Sequence, residues 1–260
     1  MRALCDLRKR AEIAVFLALG AVSSSVAEIP VRIPEILERL PHDPNAFTQC
    51  LMTAPSGDLV EGTGLYGESE IRLVRAKSGE AVRRVALPAE LFGEGCALVA
   101  GDLVQLTWRE HLILRRDPVS FAERGRLPWP REGWGAAAFG DTLWISDGSD
   151  ELFKVLMPSG REIGRVKVTA DGRPVKFLNE LAEDGPRLVA NVWGSDSLAV
   201  IDRRSGRVVE WWDARNLRAS LLPEERARAE VLNGVARLPD GEWLLTGKWW
   251  PALFRVRIAK

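Results

Sequence analysis

From residue 47 onward, short apolar runs alternate with turn residues, and apolar positions at helical intervals are scarce. Such punctuation predicts short antiparallel strands. Five stretches share one layout of strand, polar or glycine turn, strand: "VEGTGLYGESEIRLVR" from Val60, "VQLTWREHLILRR" from Val104, "LWISDGSDELFKVL" from Leu143, "LVANVWGSDSLAVID" from Leu188 and "WLLTGKWWPALFRVRI" from Trp243. Ahead of each lies another strand with a distinctive residue: Gln49 in "AFTQCLM", Glu94 in "FGEGCAL", Trp134 in "EGWGAAAF", Asn179 in "FLNELAE" and Asn233 in "VLNGVARL". These positions are 45, 40, 45 and 54 residues apart. A period of about 40–50 residues built from short antiparallel strands is the signature of a β-propeller with one four-stranded blade per repeat. The expected fold is all-β, a single five-bladed β-propeller over residues 28–260. In residues 215–230, Leu217, Leu221 and Leu222 fall at helix-like intervals among Glu and Arg. A short helical insertion is therefore expected before the last blade.

The first 27 residues depart from this pattern. Arg2, Arg8, Lys9 and Arg10 precede an apolar stretch from Ile13 to Val22, and Ser25-Val26-Ala27 supplies small residues before Glu28. This predicts a signal peptide over 1–27 and an exported mature chain, periplasmic or secreted. The apolar stretch falls short of the roughly 20 residues that span a bilayer, so no membrane association is expected of the mature protein.

Composition narrows the partners. Lys plus Arg and Asp plus Glu both number 36, which gives no reason to expect nucleic acid. Two His and three Cys without a C-x-x-C pair offer no zinc ligand set. Ten Trp against one Tyr is unusual, and an indole joins a large apolar face to a single N–H donor.

In a propeller the first strand of each blade lines the central channel. Gln49, Glu94, Trp134, Asn179 and Asn233 are thereby expected to converge on one mouth. Trp108 lies 14 residues after Glu94, Trp193 lies 14 after Asn179, and Lys248 lies 15 after Asn233, so these should border the same cavity. A glutamate among aromatic rings should have a raised pKa, which suits proton transfer near neutrality. The glycines flanking Glu94 are expected to leave room for substrate. Side-chain amides can orient a substrate amide, and Lys248 with indole N–H groups can stabilise an oxyanion. No Gly-x-Ser-x-Gly, P-loop or G-x-G-x-x-G motif occurs. Two other readings compete: a metal-dependent lactonase-like propeller, which would need a ring of carboxylates, and a non-catalytic scaffold.

The runs "LPHDPNAFTQ", "EGTGLYG", "FGEG", "QLTWRE", "EGWG", "LWISDGS", "FLNELA", "ANVWGSD", "IDRRSG", "VLNGVA" and "LLTGKWWPALF", in this order, resemble the plant-type glutaminyl-peptide cyclotransferases, found in plants and bacteria. The resemblance implies an enzyme that converts the N-terminal glutamine of a peptide or protein to pyroglutamate and releases ammonia. It implies Glu94 as proton shuttle, Lys248 and Asn179 as further catalytic residues, and Gln49, Phe47, Phe92, Trp108, Trp134 and Trp193 as substrate-binding residues. No catalytic metal or cofactor is implied, a structural calcium in the channel stays open, and a monomer is expected. Asn233 is read as a turn cap, His42 as a residue that fixes the entry loop, and Trp144, Trp211, Trp212 and Trp243 as structural. Departures from the family pattern are Cys50, Gly62, Cys96 and Trp249. Because Cys50 and Cys96 fall on neighbouring first strands, a disulfide or a close thiol contact between blades one and two is hypothesised. Trp249 is expected to narrow the pocket.

Overall fold

A computed structural model describes residues 28–259, so the leader expected at 1–27 lies outside the described residues. The five inner strands are Thr48–Thr53, Gly93–Val99, Ala136–Phe139, Leu178–Asp184 and Leu232–Arg237. Each opens an antiparallel four-stranded sheet, giving the five-bladed propeller that the repeat predicts. Inner and second strands are buried almost throughout, as in Leu59–Thr63 and Asp102–Thr107, because both of their faces meet neighbouring blades. Outer strands such as Arg161–Lys167 alternate exposed and half-buried positions, since only one face meets the core. Packing between blades relies on indoles: the Trp212 and Trp243 ring centroids are 4.9 Å apart, and those of Trp129 and Phe153 are 5.7 Å apart. Trp144, Trp212 and Trp243 are buried, and Trp211 packs against the core of blade four, as expected of structural residues.

One blade is not built in chain order. The outer strand of blade five is Glu35–Pro41, which pairs antiparallel with Ala252–Arg257, placing Leu40 opposite Leu253. The N-terminal segment thus closes the ring and covers a sheet edge that would otherwise stay open. Just before it, Val31–Arg32 joins the outer edge of blade four in parallel, with Val31 opposite Trp211.

The insertion before blade five is two short helices, Arg215–Ala219 and Pro223–Arg228, rather than one. Leu217 and Leu221 are buried as expected, but Leu222 is 50% exposed. The residue before a proline is disfavoured in the helical region, and Leu222, at φ −59° and ψ 154°, caps the second helix instead of continuing the first.

Cys50 and Cys96 form a disulfide between the inner strands of blades one and two, with their Cα atoms 5.5 Å apart. Gly62 lies opposite Cys50 in the strand register, and a Cβ there would come within 3.2 Å of the Cys50 Cβ. The departures at Cys50 and Gly62 are therefore complementary: the smaller residue accommodates the larger one. Among the described residues no helix is long and apolar enough to cross a membrane.

Candidate active site

Glu94 is the second residue of its inner strand and is buried. Gln49, from the neighbouring blade, donates from Nε2 to Glu94 Oε1 at 3.0 Å. Gln49 Oε1 in turn accepts from Asn233 Nδ2 at 3.3 Å, and the same nitrogen donates to the Thr48 carbonyl at 2.9 Å. A chain of amides thus runs from blade five through blade one to the carboxyl of blade two. Asn233 is not a turn cap; it is fully buried and holds Gln49 in its orientation. The glycines beside Glu94 also differ from expectation. A Cβ at Gly93 would come within 2.8 Å of the Thr63 carbonyl, and one at Gly95 within 2.6 Å of the Gly135 and Ala136 backbone. They let neighbouring blades approach, Gly93 toward the second strand of blade one and Gly95 toward blade three, rather than making space for substrate.

Burial pushes the Glu94 carboxyl well above its usual range; Lys248 counteracts this, while Glu132 and Glu110 add to it. Burial likewise lowers the Lys248 ammonium, against the attraction of Glu94, Glu180 and Glu230. The Lys248 Nζ lies 4.5 Å from the Phe47 ring centroid, a cation–π contact. Its backbone is fixed on both sides, N–H to the Val231 carbonyl and carbonyl to the Glu230 N–H, so the helical insertion leads directly into its support. Asn179 is buried, and its Oδ1 has no hydrogen-bond partner among the described residues, which leaves an unused acceptor. Beside it stands Glu180, which sequence reasoning missed. This buried carboxyl accepts the Leu51 N–H, and burial pushes its pKa well up, against the backbone N–H groups of Leu51 and Val235. The signal was available: a carboxylate inside the apolar strand "FLNELAE", the same feature that marks Glu94.

The walls are aromatic. Ring centroids are 5.1 Å apart for Phe47 and Trp249, 6.2 Å for Phe47 and Phe92, and 5.4 Å for Phe92 and Trp108. Trp249 meets Phe47 edge-on, its backbone in the left-handed region at φ +60°. Trp250 is instead fully buried, its indole N–H on the Glu230 carbonyl at 2.8 Å. A second missed residue ties the walls together. Glu132 Oε2 accepts from both Trp108 Nε1 and Trp134 Nε1 at 2.9 Å, and Glu132 Oε1 accepts from Arg109 Nε at 3.2 Å. Trp134 does not project into the channel with the polar residues. Its strand begins two residues later, so its ring lies at the rim, against Gly148 and 6.3 Å from Trp193.

The opposite end of the channel has a different character. A cavity of about 390 Å³ is lined there mainly by small and apolar residues, among them Leu51, Ala97, Ala136, Ala182 and Ala236. The described residues include no group of three or more His, Cys, Asp or Glu side chains placed to share a metal ion.

Comparison with known proteins supplies further findings. A family model described as glutamine cyclotransferase matches residues 11–258. A curated glutaminyl-peptide cyclotransferase of Arabidopsis thaliana is 33% identical over 247 residues, which cover 94% of this chain and 77% of that protein. The crystal structure of Myxococcus xanthus glutaminyl cyclase, also 33% identical, matches with a TM-score of 0.79 over 90% of this chain and 100% of that one.

Proposed function

Because the chain belongs to the glutamine cyclotransferase family, and is an enzyme of that class, we propose that it cyclises the N-terminal glutamine of peptides or proteins to pyroglutamate with Glu94 as the proton shuttle. The observation that carries this reading is a buried carboxyl of raised pKa, oriented by one amide and set on the strand that follows Phe92 of the aromatic wall. The α-amine nitrogen attacks the side-chain carboxamide carbon, and a C–N bond forms. Glu94, as carboxylate, takes a proton from that nitrogen. It then returns the proton to the amide nitrogen, the old C–N bond breaks, and ammonia leaves. Both reacting groups belong to one residue, so the pocket's tasks are to select the cyclising conformer and to move one proton. Lys248 faces the developing oxyanion, Gln49 holds Glu94, and the free Asn179 Oδ1 accepts a substrate N–H. Phe47, Phe92 and Trp108 enclose the glutamine side chain, and Trp134 and Trp193 bind the substrate at the rim.

Export behind a leader at residues 1–27, and action as a monomer, belong to the same proposal. The Cys50–Cys96 disulfide supports export, since such bonds persist in oxidising compartments. The test is to incubate the protein with a glutamine-starting peptide and follow ammonia release together with the matching loss of peptide mass. Turnover well above the spontaneous rate is expected; a rate equal to the spontaneous one defeats the proposal.

A further inference from the structure

The aromatic wall is uneven. Phe92 is buried and Phe47, Trp108 and Trp249 are half-buried, whereas Phe177 and Trp193 are 49% and 47% exposed. Among the described residues the only other aromatic side chain so open is Tyr66, whose hydroxyl is engaged by Glu110 at 2.7 Å. The Phe177 and Trp193 centroids are 6.0 Å apart, and Trp193 touches Trp134, so the exposed pair extends the pocket wall outward along blade four. Phe177 is held there against local preference. Its backbone occupies the left-handed region at φ +63°, a conformation that costs a bulky residue about 1–3 kcal/mol. Two hydrogen bonds of 2.8 Å anchor it: its N–H to the Gly148 carbonyl and its carbonyl to the Trp193 N–H. Gly148 is itself covered by the Trp134 ring, which a Cβ at that position would meet at 2.6 Å. Packing that served only the core would have buried the Phe177 ring; instead strain, anchoring and exposure coincide beside the pocket mouth.

We propose that Phe177 and Trp193 form a subsite for the side chain of the residue that follows the N-terminal glutamine, and that it favours large apolar side chains, aromatic ones foremost. The inference rests on the cyclase reading above. With the glutamine carboxamide directed to Glu94 and Lys248, the rest of the peptide must leave through the mouth, where this is the one exposed pair of rings among the described residues; Tyr66, on Phe92, stands singly with its hydroxyl held by Glu110. Two half-exposed rings at a tilt of 49° offer a third ring edge-to-face contacts, which contribute about 0.5–1.5 kcal/mol beyond the area they bury.

Initial rates with Gln-Phe and Gln-Gly peptides, otherwise identical, on wild type, Phe177→Ala and Phe177→Tyr test this. Wild type should favour the Phe peptide by about tenfold in kcat/KM, Phe177→Ala should lose most of that preference through KM, and Phe177→Tyr should keep it. The ratio of the two rates does not depend on the fraction of enzyme that folds, so it stays readable if a variant folds poorly. A wild-type ratio near one, or an unchanged ratio in Phe177→Ala, overturns the subsite. Absence of turnover with both peptides defeats the cyclase reading instead; tryptophan quenching by the same two peptides then decides on the subsite, and equal affinities overturn it.

Discussion

Two groups of buried charge lie close together and are satisfied in opposite ways. At the seam of blades five and one, Arg72 donates to Glu61 Oε2 from Nε at 3.0 Å and from Nη2 at 2.8 Å, and to Asp43 from Nη1 at 2.8 Å. His42 sits between Glu61 Oε1 at 3.0 Å and the Trp250 carbonyl at 2.6 Å, and Thr48 donates to the same Glu61 oxygen at 2.7 Å. At the mouth, Glu94 takes one hydrogen bond from Gln49, and neither Glu94 nor Lys248 forms an ion pair with any described residue. Burial acts on both groups, but only at the seam is it overcome. There it would lower His42, yet Glu61 raises it; it would raise Glu61, yet His42 and Arg72 hold that carboxyl at about 2. At the mouth burial prevails, moving Glu94 up and Lys248 down. Full pairing fixes charge and makes architecture, whereas sparse pairing leaves a proton free to move.

The largest effect should come from Glu94→Gln. Removing the shuttle is expected to cost about 10²–10⁴ in turnover, while the urea midpoint holds or rises because no carboxyl remains to be buried. Parallel losses of activity and stability would erase the distinction between the two groups. Arg72→Met should do the reverse. Glu61 is left buried without its main partner, at a cost of about 3–5 kcal/mol in urea unfolding, with activity per folded molecule near wild type.

The pH dependence of stability sharpens the contrast. The folded pKa of Glu61, about 2, lies below its ordinary 4.5, so its contribution is present above pH 4.5 and is lost as pH falls toward 2. For His42 the folded pKa lies above its ordinary 6.5, so its contribution is present below pH 6.5 and is lost as pH rises through the folded value. Glu61→Gln should flatten the acid slope measured by urea unfolding. The smallest effect is expected at Glu132. Glu132→Gln keeps an acceptor for the two indoles but removes a negative neighbour that raises Glu94, so the acid limb of kcat/KM should shift to lower pH. Glu132→Ala frees both walls as well and should raise KM several-fold, with a change in tryptophan emission.

Much of this protein is legible one blade at a time. The period, the apolar inner strands and the glutamate set within one of them are local features of hydrophobicity and residue type, and they lead to the fold and to Glu94 before any contact is known. Glu180 carries the same mark, a carboxylate within an apolar strand, while Glu132 reads like any polar residue in a turn.

What the tertiary structure alone decided are matters of who meets whom. Asn233 reaches Gln49 across 184 residues of sequence, and no turn propensity records that. Ring closure by Glu35–Pro41 depends on two distant segments sharing one sheet edge. Whether Cys50 bonds to Cys96 depends on how closely blades one and two approach, which Gly62 and Gly93 permit at their seam. Periodicity constrains the face on which a side chain lies, but packing determines its neighbours, and the neighbours set both pKa and role.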